Sequence, residues 1–158
     1  MPNQPAPEFH PVSIDNALSI DRPELGADIP VALFRLLRLV VMEDLFGRGA
    51  GAPAYLAGKQ LGGALKLQNL DQFLELCEGL KIGRVSVKHT EGGGVHVDVH
   101  ECVTCAGMTP VGRPLCAFEG GLMAGVLESI HGRHVRAREV TCIGGLGDET
   151  CGFDITFD

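Results

Sequence analysis

The chain has 158 residues, a formal net charge of −7, 45% hydrophobic residues and 21% charged residues. These values are typical of one globular domain with its own core, and its apolar stretches are too short to span a membrane as a helix. The acidic balance argues against nucleic acid as a partner, because phosphate binding requires clustered Lys and Arg. The amino-terminal MPNQPAPEFHP lacks the features of a secretory signal, which predicts a cytoplasmic protein.

Residues 1–22 contain four of the nine prolines and show little periodicity, so we expect a tail there and one domain over residues 23–158. Residues 31–46 predict an amphipathic helix, with Arg35, Arg38 and Glu43 available for water. Its apolar side chains recur at helical spacing and should form the face that packs on the domain. They are Leu33, Leu36, Leu37, Val40, Val41 and Leu45.

Two more helices are predicted over residues 53–65 and from residue 69 or 71 to residue 80. Alternating valines then predict a β-hairpin over residues 85–99, with a glycine-rich turn. A helix over residues 118–130 carries Gly121 and Gly125 four positions apart, where they permit close approach of a neighbouring element. Strands follow at 135–141 and 152–157. The fold class is therefore α+β, with an antiparallel sheet of about four strands packed with helices in the order ααα-ββ-α-ββ.

Six cysteines are present, and five of them lie between residues 102 and 151. In a reducing cytosol such clustering indicates metal binding or redox chemistry in preference to structural disulfides. The alternative is that they are ordinary buried cysteines, which behave as small apolar residues. Their number and their position around turns favour the metal interpretation.

Four donors in this region match the requirement of a tetrahedral zinc site. Cys116 precedes a predicted helix, Glu139 and Cys142 bracket the end of a strand, and Cys151 follows the turn GGLGDET. The glycines of that turn permit a tight reversal that brings Cys142 and Cys151 together.

Cys102 and Cys105 have the two-residue spacing that is common in zinc and redox sites. Three interpretations stay open: a site shared with Cys116, a reversible disulfide, or simply a thiol-rich loop. We expect this pair to be dispensable for folding but sensitive to oxidation, because it shares a flexible loop.

Two segments carry a resemblance to a known family. The run from HECVTCAGM to GDETCGFDITF, and the earlier RPELGADIPVALFRLLRLVVMEDLFGRGAGAPAYLAGKQLG, resemble the 4-vinyl reductase domain, in the form called hydrocarbon-binding protein. Related domains sense phenols in bacterial enhancer-binding activators, where three cysteines and one glutamate hold zinc. The matching positions here are Cys116, Glu139, Cys142 and Cys151. The resemblance also implies the fold of the ligand-binding domains of nitric-oxide signalling and Golgi transport proteins.

The resemblance implies a non-catalytic module that binds a small apolar or aromatic molecule, forms a homodimer through its amino-terminal helices, and uses a protein partner for signalling. No nucleophile or acid–base set is recognisable, so an enzyme is the less favoured interpretation. Because such pockets are mainly apolar, the expected lining residues are Phe73, Leu76, Val97, Phe118 and Leu122.

The departure from the phenol sensors is the additional pair Cys102 and Cys105. It leaves an iron–sulfur cluster or a tetrapyrrole as alternatives to zinc. The corresponding alternative functions are an accessory protein in tetrapyrrole metabolism and a redox metalloprotein.

Overall fold

A computed structural model describes residues 12–91 and 93–158. Residues 1–11 of the predicted tail lie outside the described residues, and the rest of that tail contains the short helix α1, Ile14–Leu18. Helix α2 spans residues 31–46 as three consecutive segments, Val31–Arg35, the π-helical Leu36–Val41, and Met42–Phe46. After a 3-10 turn at Gly47–Ala50, helices α3 and α4 occupy Gly51–Ala64 and Leu70–Gly79.

The second half of the chain supplies the sheet and the longest helix. Strands β1 and β2 are Arg84–His89 and Val95–His100, helix α5 is Ala117–His131, and strand β3 is Val135–Thr141. A single helical turn, α6, covers Ile143–Leu146 before strand β4, Cys151–Phe157. The predicted element order is confirmed, with α1 and α6 as additions that are too short to show a periodic pattern.

The four strands form one antiparallel sheet in the order β1-β2-β4-β3. Val97 pairs with Val87 on one side and Phe153 on the other, and all three belong to the side that faces the core. The alternate positions carry polar residues on the outer face, where His96 contacts Asp154 at 2.8 Å. The alternation of valine with polar residues thus correctly predicted the hairpin.

Helices α3 and α5 pack against each other at the distance that only glycine allows. A Cβ on Gly121 would overlap the carbonyl oxygen of Tyr55, and one on Gly125 would overlap that of Lys59. The same holds in the other direction for Gly58, whose missing side chain leaves room for the backbone of Phe118. The predicted close approach at Gly121 and Gly125 is confirmed.

Helix α2 lies the opposite way round from the sequence prediction. Arg35 and Arg38 turn toward the domain, whereas the apolar side chains face outward and are between 42% and 70% exposed. These are Leu33, Leu36, Leu37, Val40, Val41 and Leu45. The physical reason is that the arginines find oxygen partners on the domain, while α3, α4 and α5 already cover the sheet. Despite this apolar surface, no helix among the described residues is long and apolar enough to cross a membrane.

We expect Gly121→Ala to lower the free energy of unfolding by about 3 kcal/mol, because a methyl group there must push two helix backbones apart. Urea unfolding followed by circular dichroism measures this change. Gly63→Ala is the matched control, since its Cβ would lie 3.9 Å from the nearest atom, the carbonyl oxygen of Gly125. That control should gain about 0.5–1 kcal/mol from helix propensity. Equal stability of the two variants would contradict the packing described here.

Candidate metal centre

Five buried thiols meet beside the amino-terminal end of α5. Cys116 is their centre: its Sγ lies 3.6 Å from that of Cys102, 3.5 Å from Cys105, 4.0 Å from Cys142 and 3.6 Å from Cys151. All five side chains are 0% exposed. The sixth cysteine, Cys77, is also buried but belongs to helix α4, and burial raises the pKa of its thiol to about 12. The five cysteines of the carboxy-terminal region are therefore one cluster.

Local backbone structure explains how the sequence-predicted donors come together. Cys116 immediately precedes α5, and Cys151 is the first residue of β4. The pairing of β3 with β4 is irregular between Glu139 and Thr141, a bulge of the kind that redirects side chains next to sites. The turn after Cys142 is closed by Asp148, whose Oδ2 accepts the Cys142 backbone N–H at 2.7 Å.

Glu139 points into the cluster from the end of β3. Its Oε2 accepts the backbone N–H of Cys116 at 2.9 Å, and its Oε1 is buried without a hydrogen-bond partner in the described structure. Burial, with a further contribution from Cys142, raises the pKa of this carboxyl group to about 9. A buried carboxylate oxygen beside thiols is a suitable ligand for a cation, which would restore the ionised form.

The four sequence-predicted donors lie close enough to share one ion. One ligand atom from each of Cys116, Glu139, Cys142 and Cys151 lies within 4.8 Å of the other three. A second group with the same property consists of Cys102, Cys105, Cys116 and Cys151. The sequence placed Cys102 and Cys105 in a flexible loop outside the ligand set, but the structure buries both of them against Cys116.

The thiols influence one another strongly because like charges so close together cannot all ionise. Hydrogen bonds from Cys105 and Cys116 lower the pKa of Cys102, while the thiols around Cys116 raise the pKa of that residue. The backbone N–H of Ile143 also donates to Cys151 Sγ at 3.4 Å. A bound cation would relieve the repulsion, so four buried cysteines of this cluster suit a metal ion.

The loop that carries Cys102 and Cys105 is anchored by side chains that the sequence reasoning did not identify. Arg35 of α2 donates from Nε to the carbonyl oxygen of Val103 and from Nη2 to that of Ala106, each at 2.8 Å. These bonds fix the loop from outside. A signal for them was present in the sequence, because Arg35 stands on an otherwise apolar helix.

A second anchor lies on the inner side of the same loop. Thr104 Oγ1 donates to Glu119, which is almost fully buried in α5, and Arg38 Nη2 lies 4.0 Å from the other carboxylate oxygen. Burial raises the pKa of Glu119, although Thr104 and Arg38 act in the opposite direction. Glu119 was recognisable as a charged residue within the apolar, glycine-rich start of α5.

The five residues expected to line a ligand pocket lie between the helices and the sheet. Phe73, Val97 and Leu122 are nearly completely buried in the core, whereas Leu76 and Phe118 are half-buried. The structure describes a shallow groove of about 430 Å³ between α3 and α5, and a smaller cleft of about 40 Å³ beside Arg38. Neither cavity is lined by the five expected residues.

Comparison with known proteins identifies the family. Residues 95–157, which contain β2, α5, β3 and β4, match the model of the 4-vinyl reductase domain. The uncharacterized protein MJ0150 of Methanocaldococcus jannaschii is 34% identical over 148 residues, covering 89% of this chain and 84% of the relative. The chain belongs to the 4-vinyl reductase domain family. The resemblance seen in the sequence is thereby confirmed.

Solved structures share the fold of this 4-vinyl reductase domain protein. A vinyl-4-reductase family protein from Methanocaldococcus jannaschii superposes with a TM-score of 0.67 at 19% identity, covering 85% of each chain. The phenol-responsive sensory domain of the transcription activator PoxR, solved with phenol, gives a TM-score of 0.58 at 17% identity, covering 80% of this chain and 74% of that domain.

The wider fold relationship expected from the sequence is also confirmed. A trafficking protein particle complex subunit 3 from Naegleria fowleri gives a TM-score of 0.60 at 12% identity, covering 81% of this chain and 95% of that one. An H-NOX protein from S. oneidensis gives 0.56 at 11% identity, covering 84% of this chain and 78% of that one. These similarities concern the fold.

Proposed function

We propose that this 4-vinyl reductase domain protein is a sensor domain that binds a small apolar or aromatic molecule and is held together by a structural zinc ion. The observation that carries the zinc proposal is the buried cluster in which Cys116, Glu139, Cys142 and Cys151 converge. With four protein ligands the ion has no open position for water or substrate. Its role would be to join the start of α5 to the ends of β3 and β4.

The spacing of the sulfur atoms favours an ion held directly by thiolates over an iron–sulfur cluster. Sulfurs bound about 2.3 Å from one tetrahedral zinc ion are about 3.8 Å apart. The Sγ atoms of Cys116 and Cys142 are 4.0 Å apart, and those of Cys116 and Cys151 are 3.6 Å apart. In a cluster with four irons each thiolate binds a different iron, which requires wider spacing.

Cys151→Ser is expected to remove the zinc and to unfold much of the domain. A structural zinc contributes about 10 kcal/mol, which equals or exceeds the stability of most domains. Elemental analysis and thermal unfolding of protein purified without oxygen measure the two effects. Cys77→Ala is the control, because Cys77 is buried outside the cluster, and it should retain its metal. Unchanged stability of Cys151→Ser would rule out a structural role for the ion.

The proposed ligand class rests on the phenol-bound sensory domain, which shares the fold, and on the apolar interior between the helices and the sheet. At the border of this interior, Arg38 covers the half-buried ring of Phe118, with its guanidinium carbon 5.2 Å from the ring centroid. We propose that a ligand inserts next to Phe118 and Leu76 and displaces core contacts. A partner protein would transmit the resulting change.

Binding of a phenol, a hydrocarbon or a porphyrin precursor should raise the melting temperature without chemical conversion. At a hundredfold excess over the dissociation constant the added stability is ~2.7 kcal/mol. Leu76→Ala should weaken binding about tenfold, whereas Leu80→Ala, at the exposed end of the same helix, should not. A thermal-shift screen with product analysis tests this. Turnover of the ligand, or a visible spectrum that changes on reduction, would instead favour tetrapyrrole or redox chemistry.

We further propose that the outward face of α2 is the contact between two copies of this chain. Its apolar side chains project away from a helix whose polar side chains are already engaged: Arg35 with the Cys102–Cys105 loop and Glu43 with Arg113 at 2.7 Å. Large exposed apolar patches mark interaction surfaces. A second copy presents the same face, so two such helices can cover one another around a twofold axis.

Leu37→Glu should convert the dimer to a monomer, because it buries a charge at the centre of the proposed contact. Leu37 is 57% exposed in the single chain, so the substitution should not disturb its fold. Leu80→Glu is the control, since Leu80 is 52% exposed at the end of α4. Light scattering coupled to gel filtration gives the mass of each variant. A wild-type monomer, or dimers of both variants, would contradict this assignment.

A further inference from the structure

The cluster contains more donors than one ion can use. One four-coordinate ion at Cys116, Glu139, Cys142 and Cys151 leaves the thiols of Cys102 and Cys105 without a role, although both are 0% exposed. Their Sγ atoms lie 3.6 Å and 3.5 Å from that of Cys116. These separations are close to the spacing of about 3.8 Å that two sulfurs adopt on one tetrahedral zinc.

The two possible ligand groups overlap in a particular way. Cys116 and Cys151 belong to both groups, whereas Cys102 and Cys105 belong to one and Glu139 and Cys142 to the other. Two four-coordinate ions need eight bonds. Six donors supply eight bonds when two of them bind both ions, and a thiolate sulfur has enough lone pairs to do so.

The distances within the second group agree with such sharing. The Sγ atoms of Cys116 and Cys151 are 3.6 Å apart, as two sulfurs on a common ion would be. Cys105 Sγ lies 3.2 Å from Cys151 Sγ, which is shorter and would lengthen when an ion enters. Cys102 and Cys105 thus approach the shared pair from the loop, and Glu139 and Cys142 approach it from strand β3.

The loop itself has the properties of a ligand turn. The backbone N–H groups of Cys105 and Ala106 donate to the carbonyl oxygen of Cys102 at 3.1 Å and 2.8 Å, which closes a turn between the two thiols. Arg35 holds its outer carbonyls and Thr104 ties it to Glu119. The guanidinium of Arg35 also offsets part of the negative charge of several thiolates.

We propose that the cluster is a dinuclear site in which Cys116 and Cys151 bridge two zinc ions, Cys102 and Cys105 complete the second ion, and Glu139 and Cys142 complete the first. This proposal rests on the zinc site of the proposed function and adds a second ion to it. Each thiol that binds releases its proton to solvent, so both sites fill more readily as the pH rises.

The experiment is a count of metal ions per folded chain. Protein purified without oxygen is saturated with zinc, freed of excess metal, and weighed by native mass spectrometry. Wild-type protein and the control Cys77→Ala are expected to hold two zinc ions, and the double variant Cys102→Ser/Cys105→Ser is expected to hold one. One ion in the wild type would overturn the dinuclear site but leave the proposed function intact, whereas none would overturn both.

A titration of wild-type apoprotein with Co²⁺ does not depend on the folding of any variant. The thiolate-to-cobalt absorption should rise to an end point at two equivalents and fall again when zinc is added. An end point at one equivalent would overturn the proposal. Visible absorption with acid-labile sulfide in the freshly purified protein would also overturn it, because that combination indicates an iron–sulfur cluster.

Discussion

The burial of five thiols and a carboxyl group at one point is the constraint on which the carboxy-terminal half of this protein depends. Groups of this kind are unfavourable in a low-dielectric interior unless they are paired or bind a cation. The donors come from the loop after β2, the start of α5, the end of β3 and the start of β4. A cation there would join segments that are distant in sequence and would order them together.

The rest of the domain is arranged so that this cluster stays out of water. Glycines let α3 and α5 approach backbone to backbone, and this pair together with α4 covers one face of the sheet. Glu119, near the start of α5, connects that helix to the Cys102–Cys105 loop through Thr104. Close packing and thiol clustering are therefore parts of one arrangement, because both depend on where α5 begins.

Helix α2 links the interior to the surface. Arg35 holds the loop of the cluster and Arg38 faces Glu119, while the opposite side of the same helix exposes its leucines and valines. A change in the loop, whether from metal loss or from ligand insertion near Phe118, would act on α2 through these arginines. If α2 is the contact between two copies, the same side chains connect the site to the dimer, which is the connection a sensor requires.

The sequence by itself determined the secondary structure, the family and the donors Cys116, Glu139, Cys142 and Cys151. Local signals suffice for these features: period-two valines for the hairpin, glycines four apart for the helix contact, and cysteines beside turns for the cluster. Only the tertiary structure decided which way α2 faces, since an amphipathic pattern identifies two faces but does not say which of them meets the domain. It also decided that Cys102 and Cys105 join the cluster, because the distance between loops that are far apart in sequence depends on how α5 and the sheet pack.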